Sequence, residues 1–264
     1  MIVELVGPPG AGKTTLLPAV QAFFREEGQT AFTVVEAARP FVTRTLAGRL
    51  LQRLAPSSLQ GPLLWRLFLL LSFVYRLRFL GQHAPLVWDI LRGQRRRPRA
   101  ADAAKRKVTF WIFRLMGYYE FLKAKLGAEE VLLLDEGFLH RAVQLFSSAV
   151  EEPDSSRIDG YTQSIPRPDL VIFVCASPAT CYKRIYKRGL WTAFRHKDAA
   201  EVESFVNNAH CAVTLAVAST RRLGWTVIQV NNDQNDPLPA QEALRQQLDA
   251  VTIRKMAVAS GDFV

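Results

Sequence analysis

Near the N-terminus, Gly7-Pro8-Pro9-Gly10-Ala11-Gly12-Lys13-Thr14 has the composition and spacing of a phosphate cradle. It satisfies G-x-x-x-x-G-K-[ST], the P-loop or Walker A pattern, and sits between an apolar stretch and a helix-forming one. The glycines allow backbone torsions and close approaches that a side chain would block. Successive N–H groups and the helix N-terminus then form a nest for anions. In such a nest Lys13 reaches the β- and γ-phosphates of ATP, the Thr14 hydroxyl ligates Mg²⁺, and Thr15 completes the nucleotide-binding set. The competing reading is a Gly-rich turn that holds no ligand. A second chemical feature is Val131-Leu132-Leu133-Leu134-Asp135-Glu136, an apolar run ending in two acids. Asp135 is the candidate to hold Mg²⁺, and Glu136 the candidate to orient or deprotonate an attacking group.

Positioning these residues requires a sheet. Five apolar runs predict strands at Ile2–Val6, Ala31–Glu36, Val131–Asp135, Leu170–Cys175 and Trp225–Val230. They lack clean alternation, as strands covered on both faces do. Helices are predicted at Thr14–Glu27, at Ser177–Lys187 with Ser177 as N-cap, at Ala199–Leu223 and at Pro239–Val251. Pro18 belongs near a first turn, where its missing N–H is harmless. The expected fold class is α/β: one three-layer P-loop domain over 1–264, built on a five-stranded parallel sheet. Residues 37–130 are too long for a simple connection and read as an inserted basic helical subdomain. Within it, Leu63–Leu80 and Lys105–Leu126 are helical candidates, with a basic loop at Arg92–Arg99 between them.

At 264 residues and 49% hydrophobic, the chain has ample material for a core, which excludes disorder and fibrous repeats. Three scattered cysteines, Cys175, Cys181 and Cys211, exclude a disulfide framework and suggest free thiols in a reducing compartment. The N-terminal residues do not resemble a secretion signal. Of the net charge of +10, the basic part is concentrated. Residues 39–114 hold sixteen Lys/Arg against Asp89 and Asp102, while the remaining chain is mildly acidic.

The segment Pro168-Asp169-Leu170 through Ser177-Pro178, running on to Arg184 and Arg188, resembles thymidylate kinase-like nucleoside and nucleotide kinases. The order of P-loop, acid after the second strand, acidic third strand, lid, long helix and fifth strand is similar too, over about residues 1–36 and 131–251. The resemblance implies ATP-dependent phosphoryl transfer. It assigns Arg184 and Arg188, and more weakly Arg195, to a lid that neutralises charge on the transferred group. It implies Glu36 as the carboxylate accepting the substrate hydroxyl's proton and Arg141 as a contact to a substrate phosphate or carboxylate. It also implies passage of the adenine ring by Asn231-Asn232-Asp233. Salt bridges and solvated helix faces are the structural alternatives for these side chains. The triplet Asp135-Glu136-Gly137 departs from the Asp-Arg-Tyr or Glu-Arg-Ser of the family, marking a divergent member whose acceptor the resemblance does not name.

The expected function is therefore a cytoplasmic ATP- and Mg²⁺-dependent kinase for a nucleotide-like, sugar or lipid-linked small molecule. The alternative is an AAA-like ATPase or nucleotide-dependent switch, which the P-loop and the Asp-Glu strand end also resemble. For the basic insert, the plainest reading is a buried helical hairpin with an arginine-rich exterior. Binding of an anionic acceptor, or peripheral contact with an anionic membrane on the cytoplasmic face, is the functional alternative. A span is not expected, since the uncharged run Leu67–Tyr75 falls well short of about 20 residues. Nucleic acid is not expected: Trp65, Phe68, Trp88, Phe110 and Trp111 accompany the charge, but no binding motif does. A homodimer stays open.

Overall fold

The structure, a computed structural model, describes residues 1–95, 102–148, 152–190, 194, 197–234 and 236–260; Arg96, Arg97, Arg99 and Arg195 lie outside them. Strands β1 (Ile2–Val6), β2 (Thr30–Thr33), β3 (Glu130–Leu134), β4 (Leu170–Cys175) and β5 (Val227–Asn231) form one parallel sheet in the order β2-β3-β1-β4-β5. This confirms the expected α/β class. The central strand β1 is paired with β3 through Ile2–Leu132 and Glu4–Leu134, and with β4 through Val3–Leu170 and Val6–Phe173. Because every pairing is parallel, the carboxyl ends of all five strands share one edge, where ligands bind in open α/β sheets.

Alternation along β1 divides the core. Val3 and Leu5 pack with α1 (Lys13–Glu26), α9 (Pro178–Arg188) and α11 (Leu238–Ser260). Ile2 and Val6 pack on the other face with α2 (Val34–Thr43), α4 (Ser57–Gln82), α5 (Ala84–Arg95), α6 (Asp102–Lys123), α7 (Arg141–Phe146), α8 (Ser155–Ser164) and α10 (Ala199–Arg222). The helices between β2 and β3, which also include α3 (Leu46–Leu54), share this second apolar cluster with the sheet. Phe68, Phe79 and Phe121 are completely buried in it, each contributing roughly 1.5–3 kcal/mol.

Several boundaries differ from expectation for local reasons. The second strand stops at Thr33, and Val34–Glu36 open α2 instead. A capping box decides this: Thr33 accepts from the Glu36 N–H while the Glu36 carboxylate accepts from the Thr33 N–H. Glu36 is thus the third residue of a helix, not the end of a strand. Arg92–Arg95 belong to helix α5 rather than to a basic loop, because Leu86 and Ile90, four residues apart, bury one helical face and carry the helix onward. Asp135 lies one residue beyond β3, and α11 runs on to Ser260. Pro18 falls in the second turn of α1 rather than the first, since the helix already starts at Lys13. Ser177 does cap α9, its Oγ accepting from the Thr180 N–H at 3.3 Å, with Pro178 opening the helix. Helices α7 and α8 had no counterpart in the sequence reading.

Candidate active site

The P-loop leaves β1 at Gly7 and enters α1 at Lys13. Gly10 and Gly12 have φ of 84° and 93°, a left-handed backbone that other residues rarely adopt. Space is equally restrictive: a Cβ on Gly12 would lie 2.2 Å from Asn232 Nδ2, and one on Gly7 2.2 Å from the Val174 carbonyl oxygen. Gly12 offers no side chain to cap α1, so the first N–H groups of that helix lack the usual side-chain partner. Thr14 and Thr15 are exposed in this first turn. The Lys13 ammonium donates to the carbonyl oxygens of Gly7 (2.8 Å) and Pro8 (3.2 Å). Its burial lowers the pKa to about 8, against the opposing pull of Glu136 and, more weakly, Asp135; Arg188 reinforces the lowering. Glu136, Asp135 and Arg188 therefore all lie within electrostatic reach of Lys13.

Asp135 and Glu136 keep access to solvent just past β3. Partial burial and the adjoining Glu136 charge raise the Asp135 pKa. Glu136 pairs with Arg141 at 3.0 Å; the arginine is buried, with its Nε unpartnered, while the glutamate remains open. Arg141 is thus fixed beside the acids and holds one unused donor.

A residue the sequence reading passed over stands behind this turn. Glu4, in the middle of β1, is 1% exposed, and its carboxylate accepts the His140 N–H at 2.8 Å. The N–H groups of Leu139 and Phe138 also bond to it. Burial outweighs these donors and raises its pKa to about 8. Gly137 is required by this packing, since a Cβ there would sit 2.4 Å from the Glu4 carboxyl carbon. The signal was available: Glu4 is a charged residue inside the apolar run Ile2–Val6. His140, buried, bonds to the Gly7 backbone, and desolvation holds its pKa well below the ordinary value, with Lys13 and Arg141 adding to the effect. Glu4 and His140 together connect the P-loop strand to the loop bearing Glu136 and Arg141.

On the other side of β1, Asn232 donates from Nδ2 to the Ala11 carbonyl at 2.7 Å, and Asp233 accepts the Ser177 N–H at 2.7 Å. Arg184 donates to the carbonyl oxygens of Asn232 (2.8 Å), Gln234 (2.5 Å) and Gly10 (3.5 Å). Arg184 is therefore a clamp between the P-loop and the loop after β5, not a free lid arginine. Its guanidinium is spent on the carbonyls that the P-loop turn and the strand end leave without partners. Arg188, one turn further along α9, is exposed at the helix end. Glu36 is brought to none of these groups: its Oε2 accepts from Thr33 N–H, Thr33 Oγ1 and Gln21 Nε2, bonds that lower its pKa.

The donor set fits a nucleoside triphosphate and Mg²⁺. Among the described residues there is no cluster of three His, Cys, Asp or Glu that would cage a metal alone. Mg²⁺ bound through one hydroxyl, one carboxylate and substrate phosphates needs no such cage, and Thr14 and Asp135 are the residues that would hold it.

No protein-family profile matches the chain, and no curated protein does. Among solved structures it is similar to deoxyadenosine kinase from M. mycoides with bound dCTP, at 13% identity and a TM-score of 0.44 over 95% of this chain and 100% of that one. The same enzyme with products dCMP and a flexible dCDP matches at 15% identity and a TM-score of 0.46, covering 95% and 100% of the two chains. With bound dATP it matches at 14% identity and a TM-score of 0.45, covering 94% and 100%. These overlays are loose, and the fold assignment rests on the sheet order and the P-loop described above. The narrower thymidylate kinase-like resemblance gains no support from them.

Proposed function

We propose that the chain is an ATP- and Mg²⁺-dependent phosphotransferase acting on a small-molecule acceptor. The observation that carries this reading is the convergence of the uncapped P-loop helix, half-buried Lys13, and the open acids Asp135 and Glu136 on one sheet edge. Lys13 and the loop N–H groups bind the triphosphate and stabilise charge on the group being transferred. Bound Mg²⁺, held by Thr14 and Asp135, would neutralise phosphate oxygens. Glu136 accepts the acceptor hydroxyl's proton, and Arg141, buried beside it, orients the carboxylate. Arg188, exposed at the end of α9 and within electrostatic reach of Lys13, adds positive charge beside the phosphates. Glu36 is assigned to capping α2.

The test is ADP release by the purified protein with Mg²⁺-ATP, alone and with nucleosides, nucleoside monophosphates, sugars or a lipid extract. One acceptor class should stimulate turnover and yield a phosphorylated product. Lys13→Ala should lower kcat by roughly 10²–10³-fold, as loss of a single charge-stabilising donor does, without lowering Tm. Glu136→Gln should lower kcat with KM little changed, whereas Glu36→Gln should lower Tm and leave kcat intact. ADP release indifferent to every acceptor would overturn the kinase reading in favour of an ATPase. A kcat loss in Glu36→Gln with none in Glu136→Gln would reverse the assignment of the base.

A further inference from the structure

The helices between β2 and β3 were expected to turn an arginine-rich side to solvent, but much of that exterior is hydrocarbon. On α3, Leu46, Leu50 and Leu54 recur every four residues and are 80%, 58% and 75% exposed. On α4, Leu70, Phe73, Val74 and Leu77 share the side opposite the buried Leu64, Phe68, Ser72 and Phe79, and each is more than half exposed. Exposed Phe110 and Trp111 add to this on α6, the helix against which α4 packs, and exposed Trp88 on α5. Apolar exposure on this scale marks an interaction surface.

Charge identifies the occupant. Residues 37–88 contain no Asp or Glu. Arg49, Arg53 and Arg66 lie exposed on the same two helices, and Arg76 sits 5.4 Å over the ring of exposed Phe73. Arg76 has an unpartnered Nε and stands near enough to Arg114 for the two charges to repel; no acid separates them. Arg114 in turn lies over the rings of Trp111 and Tyr118. Apolar stripes bordered by arginine, with tryptophan at the margin, match a helix lying in the plane of an anionic bilayer. A second copy fits poorly, because apposing two such faces would bring arginines together without acids to neutralise them. Among the described residues, no helix is long and apolar enough to cross a membrane.

We propose that the outer face of α3 and α4 docks on an anionic lipid surface, with leucines and Phe73 entering the acyl boundary and the arginines meeting headgroup phosphates. The inference does not depend on which molecule accepts phosphate. The test is co-sedimentation of the full chain with vesicles of phosphatidylcholine alone or of phosphatidylcholine and phosphatidylglycerol in equal parts. It would compare the natural protein, a triple charge variant (Arg49→Glu, Arg53→Glu, Arg66→Glu) and a triple apolar variant (Leu70→Ser, Phe73→Ser, Leu77→Ser), with thermal melting as the check on folding.

The natural protein should sediment with the anionic vesicles and not with the neutral ones. Binding should weaken but persist in added salt and resist competition by inorganic phosphate. The charge variant, which removes and reverses three arginines at roughly fivefold or more each, should lose at least about a hundredfold in binding, and the apolar variant should lose most of what salt leaves. Anionic binding equal in all three proteins would overturn the proposal. So would no vesicle binding, or a dimer by light scattering that the apolar variant dissociates, which would assign the face to a second copy. Binding abolished by inorganic phosphate would reduce the arginines to a site for free anions and overturn it equally.

Discussion

Around the P-loop this protein buries ionisable side chains; on the outside of α3 and α4 it exposes hydrocarbon. Both arrangements oppose the usual economy of a folded chain, and they do so by different means. Glu4 and Arg141 are withdrawn from water and Lys13 is half-buried, and each is met by named partners: three N–H groups, two carbonyls and a carboxylate. Leu46, Leu50 and Leu54 of α3 and the outer side of α4 stay more than half exposed. A cluster of ionisable side chains that partner one another is held in place before any ligand arrives, as the proposed function requires. An exposed apolar face bordered by arginines is what the proposed lipid contact would cover.

The sharpest way to break this comparison is to treat the two sides of α4 alike. Phe68→Ala, which empties a fully buried site, should cost roughly 3–5 kcal/mol in denaturant unfolding. Phe73→Ala, at 52% exposure, should stay within about 0.5 kcal/mol. Equal losses would mean that the outer face is packed after all.

The next test concerns the buried carboxyl. With its pKa raised from 4.5 to about 8, Glu4 keeps its proton in the folded chain over a range where the unfolded chain has lost it. The folded state then binds more protons, so this group's contribution to stability falls as pH rises from about 4.5 to about 8. The change should be on the order of a few kcal/mol, and Glu4→Gln should flatten it, as melting temperatures across that window would show. An unchanged slope would mean that the three N–H donors already keep the carboxylate ionised.

The smallest expected effect is local: Thr33→Ala removes the capping box and should cost about 1 kcal/mol of stability. Turnover should be unaffected, since the cap serves α2 and not the P-loop.

Legibility followed the range of the forces involved. Strands β1 and β4 were readable to the residue, because dense Val/Ile/Leu/Phe runs buried on both faces admit few alternatives. The Ser177 cap was readable because its hydrogen bond spans three residues. Glu36 was misplaced at a strand end because β-branched Val34 and Val35 outweighed the Thr33–Glu36 box in the reading, while in the folded chain the box prevails. Arg184 could not be read as a clamp, since the carbonyls of Gly10, Asn232 and Gln234 that occupy it come from distant parts of the chain.

By itself, then, the sequence determined the phosphate cradle, the α/β class and the location of the basic charge. Each is written in contiguous residues whose torsional, hydrophobic or ionic character acts over a few positions. Tertiary structure decided which acids and arginines belong to the cradle and which are spent on holding loops together. It also decided which side of α4 is covered, because an apolar residue acquires an inside or an outside only when other helices have packed against it.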